Sequence, residues 1–199
     1  MRILGRRFYA RPALEVARDL LGCELVRGAC SGIIVETEAY AGEDDPASHA
    51  ARGRTPRNAV MWGAPGHAYV YAVYGMHACL NIVAQPEGSP AAVLIRSLVP
   101  VRGMETMRER RMAGPGPRRT PRRSPVPDRS LADGPAKLCE ALGITLDCNG
   151  LDVCRADSPL VVRRTGLRPD FSATGRVGVS LGGDRLWRFV AAPDRRDTA

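Results

Sequence analysis

"AYVYAVYGMHACLNIVA" runs from Ala68 to Ala84 and consists of two β-rich stretches around Tyr74-Gly75-Met76-His77. With glycine available for the turn, the stretch reads as a β-hairpin. Period two puts Tyr69, Tyr71 and Val73 on one face and Val70, Ala72 and Tyr74 on the other, so Tyr71 and Tyr74 cannot play the same role. "AAVLIRSL" (91–98) follows as a nearly continuous apolar strand, suited to the centre of a sheet. Upstream, Leu25–Val26 and Ile33–Glu36 read as strands, and downstream so do "LVVRR" (160–164), "RVGVSL" (176–181) and "LWRFVAA" (186–192).

Helices are few. Pro12–Leu21 has proline in its first turn, Leu14, Ala17 and Leu21 on one face, and Gly22 to end it. Thr55-Pro56 reads as an N-cap and first-turn proline opening a short helix that stops at Gly63. Gly103–Met112 is a charged helix, and Asp133-Gly134-Pro135 starts another that carries Lys137, Leu138, Ala141 and Leu142 up to Gly143. Between them, residues 113–129 hold five prolines and five arginines and are expected to form a mobile basic loop. Residues 190–199 read as a polar tail. The expected fold is α+β: a single mixed domain over 1–199, with a curved, mainly antiparallel sheet, a protruding β-hairpin and surrounding helices.

A chain of 199 residues buries roughly 70% of its unfolded surface on folding and needs no disulfide staples. Its six cysteines form no CxxC pair and sit mostly among apolar neighbours, as cytosolic thiols do. No window approaches the ~18 uncharged apolar residues of a membrane span, so an intracellular, cytoplasmic chain with no membrane partner is expected. A net charge of +8 and a pI of 9.7 point to a polyanionic partner such as DNA. The 28 arginines stand against a single lysine, Lys137, so skewed nucleotide composition also contributes.

Against that positive balance, Glu36, Glu38, Glu43, Asp44 and Asp45 crowd five carboxylates into ten residues. Asp44 and Asp45, in "AGEDDP", read as solvated or turn-capping acids. Glu36 and Glu38 lie two apart at a strand end and share a face. If both are buried, their repulsion equips one to accept a proton near neutral pH. Glu38 sits amid apolar residues, where an unpaired carboxylate is costly unless used or paired, and Arg96 at the end of Val93–Ile95 is its best candidate partner. Tyr74, beside Met76 and His77 at the turn, reads either as an ordinary strand aromatic or as a wedge of the kind inserted between DNA base steps. His49, His67 and His77 match no zinc spacing, and no HExxH, GxSxG, GxxxxGK[ST] or dinucleotide fingerprint occurs, so neither metal nor cofactor is expected.

"VETEAYAGEDDPASHAARGRTPRNAVMWGAPGHAYVYAVYGMHACLNIV" (35–83), with the downstream "VLIR", resembles the alkyladenine (3-methyladenine) DNA glycosylase family. Weaker likeness extends to "LGRRFYARPALEVARDLLG", "DGPAKLCEALGI" and "RVGV…WRF". The chain departs at Trp62, where phenylalanine is usual, in the 113–129 loop, and in a short ending after Phe189. The resemblance implies hydrolysis of a purine N-glycosidic bond in double-stranded DNA, with Glu38 as the base that activates water and Arg96 helping to hold that water. It implies a pocket for the flipped base from Tyr40 on one side and Tyr71 and His49 on the other, with Tyr69 lining it and Asn81 disfavouring guanine's exocyclic amine. It makes Tyr74 the intercalating wedge, places Thr55, Arg57, Met76 and His77 at the pocket rim or on DNA, and places Lys137 on phosphate. A lyase needs an amine, and only Lys137 and the chain terminus offer one, so simple hydrolysis is expected. One copy suffices for a wedge and a pocket, so a monomer is expected. Two rivals remain open at this level: an architectural DNA binder, which gives Glu38 no role, and a hydrolase of free nucleosides, which needs no duplex affinity.

Overall fold

The computed structural model describes residues 1–114 and 121–192. In chain order it has β1 (Arg2–Ile3), α1 (Arg6–Tyr9), α2 (Ala13–Asp19), β2 (Glu24–Arg27), β3 (Cys30–Ala41), β4 (Ala68–Val73), β5 (His77–Ala84), β6 (Ala91–Arg102), α3 (Met104–Ala113), α4 (Pro135–Leu142), β7 (Leu160–Arg164), β8 (Phe171–Thr174) and β9 (Arg188–Ala191). Every strand pairing among the described residues is antiparallel. The sheet runs β1-β7-β2-β3-β6-β5-β4, and β9 joins β3 beyond its contact with β2 while carrying β8 on its outer side. It is the curved antiparallel sheet of an α+β domain.

The period-two reading of the hairpin settles which face is the core. Val70 on β4, Leu80 and Ile82 on β5, Val93 and Ile95 on β6 and Ile34 on β3 point one way and join Val16, Ala17 and Leu20 of α2 and Leu138, Ala141 and Leu142 of α4 in one buried cluster. The alternate residues, Tyr69, Tyr71, Asn81, Ala92 and Leu94, point the other way and are the ones left for a site. α2 starts one residue after Pro12, which stands at its N-cap, and the chain turns back at Gly22 with φ +80°. α4 begins at Pro135 and ends at Gly143, as read from sequence.

Several elements differ from their sequence reading. β3 does not stop at Glu36 but runs through Glu38 and Tyr40 to Ala41, so the acidic pair lies inside a strand, not at its end. Thr55-Pro56 opens a turn, in which the Thr55 hydroxyl accepts from the Asn58 N–H at 3.4 Å, and the helix that follows is a single 3-10 turn over Ala59–Trp62. "RVGVSL" is no strand but an irregular loop folded over the sheet. The segment FSAT, unremarked in the sequence, supplies β8. Within 113–129, Ala113 closes α3 and residues 115–120 lie outside the described residues. Arg122 beyond them is fastened, its guanidinium donating to the Arg111 carbonyl at 2.7 Å and its backbone N–H to the Met112 carbonyl at 2.8 Å. The tail begins later than position 190, since Val190 and Ala191 complete β9; residues 193–199 lie outside the described residues.

The hairpin turn carries strain. Tyr74 has φ +51° and Gly75 φ +70°, the two left-handed positions of a tight I′-like turn closed by the Met76 N–H on the Val73 carbonyl at 3.3 Å. Glycine adopts this conformation freely, whereas a tyrosine loses ~1–2 kcal/mol. Replacing Tyr74 by Asn, which tolerates that region, therefore raises the melting temperature by about 2–4 °C for each ~1 kcal/mol regained in a chain of this size. Thermal denaturation checks it, and an unchanged or lower midpoint contradicts the strain assignment.

Candidate active site

The face turned away from the helices lines a cleft of about 350 Å³. Its floor follows from register. Tyr69 on β4 stands opposite Asn81 on β5, Asn81 opposite Leu94 on β6, and Leu94 opposite Glu38 on β3, one row across four strands. In the next row Tyr71 faces Cys79, and on the other side Tyr40 faces Ala92. Tyr40, His49, Tyr69, Tyr71, Asn81 and Arg96 all line the cleft. Arg96 gets there by a bulge: Thr37 pairs with Ile95 and Glu36 with Ser97, which leaves Arg96 as the extra residue of β6. A bulge re-aims the side chain it carries, here toward the two glutamates of the facing strand.

Glu38 has no exposed surface. One carboxylate oxygen, Oε2, accepts from the Tyr40 hydroxyl at 2.8 Å and pairs with Arg96 Nη1 at 3.2 Å; the other, Oε1, accepts from the Val177 N–H at 2.8 Å. Tyr40, Arg96 and Val177 form the cleft wall, and the carboxylate lies just behind them. A carboxylate offers about four acceptor sites, so three donors leave one on Oε1. The expected repulsion between Glu36 and Glu38 is compensated. Arg96 forks between them, its Nε on Glu36 Oε1 at 2.7 Å, and Arg188 of β9 adds a second cation on Glu36 at 2.5 Å. Two carboxylates and two guanidiniums alternate, and neither acid is left unmatched.

The aromatic walls are neutral. Burial pushes the hydroxyl of Tyr69 up to about 12 and that of Tyr71 further. Burial, then the Glu38 charge, pushes Tyr40 higher still, so all three remain hydrogen-bond donors at neutral pH. His49 stands edge-on to Tyr71, centroids 4.5 Å apart at 77°, with Nδ1 2.8 Å from the Tyr69 hydroxyl. Burial first, and the Arg57 charge second, lower the His49 pKa below the usual 6.5, which keeps the ring neutral at pH 7. The Asn81 side chain donates to the Tyr69 carbonyl at 3.3 Å, fixing its amide in the cleft floor.

The remaining wall is not legible in the sequence. The loop whose alternation suggests a strand places Val177, Val179 and Leu181 on the cleft, held from behind by Arg176. Its guanidinium donates to both oxygens of Asp45, at 2.6 and 2.7 Å, and both side chains have no exposed surface. The sequence reading of Asp45 as solvated or turn-capping is half right. It does cap, accepting from the Ala41 and Ala47 N–H groups at 3.2 Å each, but it is buried, whereas Glu43 and Asp44 are exposed. Burial alone would raise the Asp45 carboxyl; the Arg176 pair and the two N–H donors hold it below the ordinary range. Among the described residues no three His, Cys, Asp or Glu side chains converge as metal ligands, and no helix is long and apolar enough to cross a membrane.

The cleft thus has aromatic walls and, behind them, a buried carboxylate that accepts from three donors. The family model of methylpurine-DNA glycosylase (MPG) matches residues 7–195. A protein of Methanocella arvoryzae named "Putative 3-methyladenine DNA glycosylase" is 48% identical over 196 residues, covering 95% of this chain and 92% of its own. Proteins of the same name from Rhodopseudomonas palustris and Sodalis glossinidius are 46% and 45% identical, with 94% of this chain covered and 84% and 95% of theirs. The chain belongs to the methylpurine-DNA glycosylase family. Members are DNA glycosylases, hydrolases of N-glycosyl bonds that act in DNA repair by base excision, and DNA is the substrate.

For a glycosylase the rim of the cleft matters as much as its floor. Tyr74 stands at the hairpin tip, 89% exposed, with Met76 also exposed beside it and His77 half-buried at the start of β5. Arg57 lies along the hairpin, donating to the Ala72 carbonyl at 3.0 Å with its guanidinium 5.4 Å from the Tyr71 ring centre, and Thr55 is exposed two residues before it. Arg52, which no sequence signal singles out, lines the cleft. Lys137 is set back on α4, its ammonium 2.9 Å from Asp133, although Pro135 at the start of that helix reaches the cleft. In a proton NMR titration the His49 ring is expected to titrate below 6.5; a midpoint above that value contradicts a neutral ring beside the Arg57 charge.

Proposed function

We propose that this protein rotates alkylated or deaminated purines, of the 3-methyladenine, hypoxanthine and ethenoadenine class, out of duplex DNA. It then hydrolyses the N-glycosidic bond with water activated by Glu38 and leaves an abasic site in an intact strand. The observation that carries this reading is the buried Glu38 carboxylate behind an aromatic-walled cleft, matched by Tyr40, Arg96 and the Val177 N–H. Departure of the purine builds positive charge at the sugar, and a carboxylate there both stabilises that charge and takes the proton from the attacking water. The unused acceptor site on Oε1 is the place for that water. The Val177 side chain moves aside to admit it as the sugar enters, while the Val177 N–H stays on the same oxygen and Tyr40 and Arg96 stay on the other. Arg96, with Nε on Glu36 and Nη1 on Glu38, has Nη2 left to hold the same water.

Base and wedge act together. Unstacking costs a few kcal/mol, least for damaged or mispaired bases, and Tyr74 fills the space the base vacates. Tyr40 on one side and Tyr71 with His49 on the other hold the base, each stacking contact contributing about 1–3 kcal/mol. The Asn81 amide disfavours guanine's exocyclic amine, Tyr69 anchors His49, and Thr55, Arg57, Met76, His77 and Lys137 meet the DNA around the lesion. Lys137 supports simple hydrolysis, because its amine is paired with Asp133 and does not line the cleft, where a Schiff base would have to form.

In duplex oligonucleotides each bearing one damaged purine, Glu38→Gln lowers base release by about 10²–10⁴-fold, the scale of a lost general base, while binding to the damaged duplex persists. Release measured by hot-alkali cleavage tests this, and unchanged release removes the assignment. Without alkali the wild-type protein leaves the strand uncut; cleavage under those conditions contradicts the hydrolytic reading.

A further inference from the structure

Two of the three donors on Glu38 hang from one guanidinium that no step above uses. Arg176 immediately precedes Val177, whose N–H is on Oε1, and its guanidinium lies 4.9 Å from the centre of the Tyr40 ring, whose hydroxyl is on Oε2. It also lies 5.0 Å from the centre of the Trp187 ring, which Arg185 approaches in turn at 4.7 Å. Besides Asp45, it donates to the carbonyls of Ala39, the neighbour of both Glu38 and Tyr40, and of Gly182, each at 3.0 Å. Asp45 is itself tied to the Ala41 and Ala47 N–H groups, so the pair clamps the end of β3 to the cleft-wall loop.

We propose that Arg176, held by Asp45, is a positioning residue for the glycosylase reaction, fixing the Val177 N–H and the Tyr40 ring in their places against Glu38. The inference rests on the reading of Glu38 as the base. Arg176 does not line the cleft and has no part in holding the purine. Its planar fork is suited to this role, since it meets a carboxylate with two donors while its guanidinium lies near two aromatic rings, a combination that a lysine does not reproduce. A carboxylate mis-set by about 1 Å costs on the order of 100-fold in rate.

The test separates position from stability. Removing one charge of a buried pair leaves the other unmatched, whereas replacing both by uncharged groups of similar shape is tolerated, so Asp45→Asn/Arg176→Met is the informative variant and Arg176→Lys its companion. The measurements are single-turnover release of hypoxanthine from a duplex, the Kd for a duplex carrying a reduced abasic site, and thermal melting. Both variants are expected to melt as folded proteins and keep the wild-type Kd, while release slows about 100-fold. Release at the wild-type rate in either variant, or a loss wholly accounted for by Kd, overturns the inference. If the double variant does not fold, Arg176→Lys decides alone by the same criteria. Glu38→Gln, run in parallel, keeps the two claims apart: if it still releases base, the reading of Glu38 falls. If it is inactive while the Arg176 variants work normally, only the positioning role falls.

Discussion

Glu38 is a carboxylate removed from water, and such a group is tolerated only where donors and cations replace its lost hydration. Most of what surrounds it follows from that requirement. β3 must run past Glu36 to carry it inward, and β6 must bulge at Arg96 to bring a guanidinium to it. Tyr40 must turn its hydroxyl back on the residue two before it. The cleft-wall loop must come close enough to give a backbone N–H, and that is a demand on a segment distant in sequence. The two glutamates stay compatible because Arg96 is shared between them and Arg188 is added from β9.

The hairpin is legible in the sequence because period two is a geometric certainty once strands are assigned: Tyr69 and Tyr71 have to share a face, and that face is the cleft. Glu38 and Arg96 are legible as an acid and a cation needing partners. The bulge that joins them is not, since nothing in "VLIR" marks an inserted residue. The cleft-wall loop misleads for a related reason. "RVGVSL" alternates like a strand, but its conformation is set by where Arg176 is anchored, and a buried arginine looks in sequence like any of the other 27. Asp45 misleads in the same way, because an acid in a glycine- and proline-flanked run normally faces water. Its partner lies 131 residues on. Local rules fail where a long-range ion pair decides the outcome.

The strongly basic composition takes on a different meaning once the partners are known. Arg6 pairs with Asp152, Arg111 with Glu140, Arg176 with Asp45, and Arg96 and Arg188 with the two cleft glutamates. Each of these guanidiniums is matched by a carboxylate of the fold, which offsets its charge. At the cleft Arg52 is an exposed cation of the lining, and Arg57 is exposed along the hairpin whose tip holds an aromatic side chain in a strained backbone. Charge near the lesion, rather than net charge, is what a duplex would meet at this rim.

The most direct measurement is a crystal structure of the protein on a duplex carrying a cationic pyrrolidine in place of the target nucleotide, a mimic of the charge that develops at the sugar. The account predicts an ordered water within about 3 Å of Glu38 Oε1, between that oxygen and the pyrrolidine ring, with the Val177 N–H still on the same oxygen and the Tyr74 ring in the gap left in the base stack. A complex in which the pyrrolidine is seated in the cleft and no water reaches Glu38 contradicts the account.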